Sequence, residues 1–87
     1  MIYVKERELE LVKLIENKHD KEMIYQLKDK SINDKYLIEV VVLRDMSDDC
    51  IFHCIELDTL EEAEKQAYRF LDMREELRKE GLIYQEK

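Results

Sequence analysis

The chain opens and closes on helical periodicity and alternates in between. From Lys5 to Lys18, the apolar positions Leu11, Val12, Leu14 and Ile15 form a stripe, with Leu11 and Ile15 one turn apart, and predict a first helix. Glu6, Glu8 and Glu10 lie in its first half and Lys13 and Lys18 in its second, the order a helix dipole prefers. Asn17 to Lys21 has no apolar residue and reads as a connector. Glu22 to Lys28 then alternates, with Met23, Tyr25 and Leu27 on one strand face.

Tyr36 to Arg44 is the strongest strand signal, built on the β-branched run Val40-Val41-Val42. Tyr36, Ile38, Val40 and Val42 point one way, and Leu37, Val41 and Leu43 the other. Apolar side chains on both faces predict a central strand. Asp45 to Asp49 is a turn. Cys50 to Leu57 is the next strand, with Cys50, Phe52 and Cys54 opposite Ile51, His53, Ile55 and Leu57. A last helix follows over Thr59 to Glu80. Thr59-Leu60-Glu61-Glu62 fits a capping box, and Leu60, Ala63, Ala67, Phe70, Leu71 and Leu77 form the buried stripe. Gly81 suits the left-handed position past the helix end, from which Leu82 would pack back on Leu77. The prediction is one α+β domain over residues 1–87: helix, three-stranded antiparallel meander with Tyr36–Arg44 in the middle, helix (αβββα).

Two helices on one face of so small a sheet would leave the other face apolar and bare. A second copy covering that face, in a structural homodimer or assembly factor, is one outcome of this pattern.

Eighty-seven residues suffice for one domain. Fifteen Lys and Arg against 22 Asp and Glu give a net charge of −7. No apolar run is long enough for a membrane span, and the start Met-Ile-Tyr-Val-Lys-Glu-Arg lacks the pattern of a secretory signal. With two Cys that need not pair, this points to a reducing, cytoplasmic setting. A single Gly and no Pro exclude phosphate-cradling glycine loops.

Cys50-Ile51-Phe52-His53-Cys54 holds soft metal ligands at short spacing. On a strand, however, Cys50 and Cys54 stand roughly 13 Å apart and His53 points to the opposite face. Buried thiols and a half-exposed strand histidine follow from that geometry. Asp45 to Asp49 lacks the Gly and the distal Glu of a calcium loop. No catalytic residue, metal or cofactor is therefore expected, and the chain reads as non-enzymatic.

Charge is the feature that stands out. Residues 45–64 carry eight acids and no Lys or Arg, whereas residues 1–35 balance eight of each. Such a field repels nucleic acid and speeds encounter with a cationic protein surface. Asp45, Asp48, Asp49, Glu56, Glu61 and Glu64 are the candidate contacts with a basic partner. Asp45, Asp48 and Asp49 also suit a turn, and Asp58, Glu61 and Glu62 a helix start. The acids flank an eight-residue strand at roughly 3.3 Å per residue, which makes two patches about 25 Å apart.

Helix, three-stranded meander and helix over Lys5–Glu80 is similar to the double-stranded RNA-binding domain in element order. That family starts its second helix with lysines, whereas this chain reads Asp58-Thr59-Leu60-Glu61-Glu62-Ala63-Glu64-Lys65, with the charge inverted. Size, element order and the acids between Asp45 and Glu64 resemble small acidic phage anti-CRISPR proteins. The resemblance implies an inhibitor that offers carboxylates in place of phosphates to a nucleic-acid-binding protein.

Overall fold

Five strands and one long helix make up the computed structural model, which describes residues 1–44, 46 and 49–81. The strands are β1 (Ile2–Lys5), β2 (Leu9–Glu16), β3 (Lys21–Leu27), β4 (Tyr36–Arg44) and β5 (Cys50–Leu57), followed by α1 (Leu60–Lys79). They form one antiparallel sheet in the order β1-β5-β4-β3-β2, with β4 in the middle. The expected αβββα order is thereby corrected: the segment read as a first helix, Lys5 to Lys18, is the end of β1, a 3₁₀ turn at Glu6–Glu8 and all of β2.

The cause of that misreading is a β-bulge. Leu11 pairs with Tyr25 and Lys13 with Ile24, so Val12 is an extra residue. Leu9 and Leu11 face one side of the sheet with Leu27 and Tyr25; beyond the bulge, Lys13 and Ile15 face the other with Ile24 and Glu22. One inserted residue turns an alternating pattern into apolar positions at 11, 12, 14 and 15, which is helical spacing.

The strand order has a strong geometric consequence. β1 and β2 are the two edges of the sheet yet are joined by only three residues. In a flat sheet these edges would stand about 19 Å apart. The four steps from Lys5 to Leu9 reach at most about 14 Å. The sheet must therefore roll, and the 3₁₀ turn is the kink between two halves of one strand that wraps it. Lys28 N–H donates to the Glu8 carbonyl at 2.9 Å and pins this kink to the end of β3.

Rolling creates two cores. Val4, Leu9, Leu27, Leu37, Phe52 and Cys54 are buried inside the roll. On the outside, Ile15, Ile24 and Ile38 pack with Ala63, Ala67 and Leu71, which recur every four residues along α1. The face expected to be bare is thus the inside of the roll, covered by the chain's own β1–β2 corner through Val4 and Leu9.

A second bulge lies in β4. Glu39 pairs with Cys54 and Val41 with His53, leaving Val40 extra. The expected alternation Tyr36, Ile38, Val40, Val42 is corrected accordingly. Tyr36 and Ile38 share a face with Val41 and Leu43, while Leu37 and Glu39 share the inner face with Val42 and Arg44. The last helix is as expected: Thr59 Oγ1 accepts from Glu62 N–H at 3.1 Å, and Gly81 has φ +75°. The proposed Leu82–Leu77 contact lies outside the described residues.

Candidate functional site

Of the six candidate acidic contacts, Asp45 and Asp48 lie outside the described residues. The other four each have a partner within the chain. Asp49 is 3.9 Å from Lys5 Nζ across the β1–β5 corner. Glu56 accepts from the Asn33 side chain at 3.0 Å. Glu61 is 3.7 Å from Lys65, one turn on. Glu64 accepts from Lys13 at 2.7 Å, a bond that joins α1 to β2 and holds the Lys13 ammonium above its ordinary pKa. Asp58, at the helix start, is paired with Lys35, whose pKa rises for the same reason. The structure therefore does not gather these acids into one vacant surface. It spreads the described ones from the start of β5 (Asp49) through its end (Glu56, Asp58) to α1 (Glu61, Glu64), each beside a cation or amide.

Two more carboxylates sit deeper. Glu22 on β3 is buried at 4% exposure and faces α1. Arg74 Nη1 stands 2.6 Å from its Oε1 while donating to the Lys21 carbonyl at 3.1 Å. Burial raises the Glu22 pKa, against the pull of Arg74. Glu39 is half-buried where β3 and β4 part, and burial raises its pKa too.

The thiol–imidazole pair is separated by the strand. Cys54 points into the roll, fully buried, and burial first, then the Glu39 charge, push its thiol up to about 11. Its thiolate is scarce at neutral pH, the opposite of an activated nucleophile. His53 points outward and stacks on Tyr3, ring centroids 4.3 Å apart. Both cysteines are free thiols. Among the described residues, no group of three His, Cys, Asp or Glu side chains is placed to hold a metal, and no helix is long and apolar enough to cross a membrane.

The feature the sequence reading missed is the outer half of β4. β3 pairs with β4 only at Ile24–Ile38 and Tyr25–Leu37. Beyond Glu39, β4 is paired with β5 alone among the described residues, so its other edge carries backbone donors and acceptors that no described strand pairs. Val40, Val41, Val42 and Leu43 are each 43–47% exposed there. Tyr3, two strands away and 64% exposed, extends the apolar area on the outer face through His53 to Val41. Four consecutive apolar residues read as burial on both faces; only the shortness of the β3–β4 ladder shows that this stretch is an edge.

Comparison with known proteins finds no matching family model, no similar curated protein and no similar solved structure.

Proposed function

We propose that this protein is a non-enzymatic protein-binding module, working in the cytoplasm, that takes an extended segment of a protein partner onto the open edge of β4. The observation that carries this reading is the run Val40–Leu43, exposed and paired on one side only. An edge of this kind offers main-chain hydrogen bonds for affinity and alternate side chains for selectivity. Proteins usually blunt such edges with charge, Pro or a covering element. Here the edge stays apolar for four residues, which favours use over protection. The test is capture of a partner from the source cell by the intact chain and by Val41→Lys and Val42→Lys. Loss of capture with an unchanged circular dichroism spectrum supports the reading, and capture indifferent to both substitutions removes it.

A second reading keeps the acids as the contact, as in an anti-CRISPR-like nucleic-acid mimic docked on a basic protein. Its support is the net charge of −7 and the base-free stretch 45–64. Exposed ion pairs such as Lys65–Glu61 are worth about 0–1 kcal/mol, so a strongly cationic partner can displace them. The αβββα element order no longer supports the resemblance; size and acidity do. This reading requires capture that falls steeply with salt and is lost on reversing Asp49, Glu56 and Glu64 to Lys, with Val42→Lys without effect.

A further inference from the structure

The β4 edge carries a pattern that fits its own copy. Glu39, Val42 and Arg44 share the inner face, since they pair with Cys54, Phe52 and Cys50, alternate residues of β5. Val41 and Leu43 share the outer face, opposite His53 and Ile51. When a strand pairs antiparallel with its own copy, residues directly opposite must point to the same face, so the two-fold axis falls on a residue. Three axes are available in the exposed run. An axis on Val41 sets Leu43 against Ile38, whose edge β3 already occupies. An axis on Leu43 sets the apolar Val42 against the charged Arg44. An axis on Val42 uses only the open stretch: Val42 meets Val42, Val41 meets Leu43, and, with the bulged Val40 left out of register as it is against β5, Arg44 meets the next inner-face residue, Glu39, twice by symmetry.

Glu39 and Arg44 are both available for this. Neither has a hydrogen bond or ion pair among the described residues, and Arg74 acts on Glu39 only at longer range. Glu39 is half-buried and Arg44 is exposed. A carboxylate partly withdrawn from water with no direct partner gains most from a guanidinium brought to it.

Resting on the strand-addition reading above, we propose that the occupant of the β4 edge is a second copy of this chain, paired antiparallel about Val42 with reciprocal Glu39–Arg44 ion pairs. The two sheets then become one continuous ten-stranded sheet across the axis, an isologous contact that closes on itself and leaves no further open β4 edge.

Sedimentation equilibrium up to about 100 µM, the range in which a small interface of this kind associates, is the direct test. The expected species is twice 10.7 kDa. Val42→Lys sets two ammonium groups face to face on the axis and returns the chain to 10.7 kDa. Glu39→Arg and Arg44→Glu alone each weaken the dimer by about tenfold or more, and the double exchange restores it. That restoration is a readout a purely structural role would not give, and it carries the test where Val42→Lys misfolds by circular dichroism. A chain that stays at 10.7 kDa throughout overturns the proposal, as does a dimer indifferent to Val42→Lys and to the charge exchange. A monomer that still loses a captured partner on Val42→Lys overturns self-pairing alone and leaves strand addition standing.

Discussion

Arg78 grips Asp20 with two nitrogens, Nη1 to Oδ2 at 2.7 Å and Nη2 to Oδ1 at 3.0 Å, and so ties the last turn of α1 to the turn between β2 and β3. The bond holds Asp20 below the usual carboxylate range, its hydrogen bond from Arg78 being the main cause. A depressed carboxylate contributes stability above its unfolded pKa, near 4, and loses it as pH falls toward the lower folded value. Arg78→Ala is expected to lower Tm at pH 7 by several degrees. Arg78→Lys recovers only part, because one ammonium cannot hold both oxygens in this geometry. Thermal melts at pH 7 and pH 3 check this: the Arg78→Ala deficit shrinks at the lower pH.

Glu22 carries the opposite sign. Burial raises its pKa, so its ionisation is a cost that appears as pH rises from about 4.3 through the folded value. Below both values the side chain is neutral and the cost is absent. Glu22→Gln is therefore expected to stabilise the protein at pH 7 and to leave it unchanged at pH 3. Urea denaturation of both proteins across that range decides it. A Glu22→Gln protein less stable at pH 7 would mean that the ion pair with Arg74 outweighs desolvation.

Much of this fold is legible in the sequence where one period runs uninterrupted. β5 and α1 have a clean alternation and a clean four-residue recurrence, and both lie where the pattern puts them. β2 and the end of β4 do not, and each fails at a bulge: Val12 and Val40 shift every later side chain to the other face. A pattern-based reading assumes a constant period, so a bulged edge strand with Leu11, Val12 and Leu14 exposed passes for a helix. The fate of the acids was hidden for another reason. Lys13–Glu64 joins residues 51 apart through the packing of α1 on β2, and Lys35–Asp58 joins residues 23 apart through the β4–β5 register. Segment charge reveals an acidic stretch but not which distant lysine will answer it.

Adjacent residues of β4 serve different cores. Leu37 and Ile38 are both fully buried, Leu37 inside the roll and Ile38 beneath α1. Leu37→Ala and Ile38→Ala are each expected to cost about 2–5 kcal/mol, from lost transfer energy and a cavity. If one face of the sheet were open to solvent, one of the two would cost far less. Urea midpoints with unchanged m-values give the comparison.

The two ends of α1 are set by residues acting through different physics, and their effects should add. Thr59 accepts the Glu62 N–H at the start, and Thr59→Ala is expected to cost about 1 kcal/mol, the usual worth of such a cap. Gly81 at the other end has φ +75°, and a Cβ placed there would meet nothing within 4 Å. Gly81→Ala therefore clashes with no neighbour and costs only the strain of an L-residue in the left-handed region, about 1–2 kcal/mol. Twenty helical residues at 1.5 Å each put the two sites about 30 Å apart, with no shared partner. The double variant should lose the sum of the two within about 0.5 kcal/mol. A shortfall larger than that would show that the helix frays from Gly81 back past Arg78 once either end is weakened, and the Asp20–Arg78 clamp would then open with it.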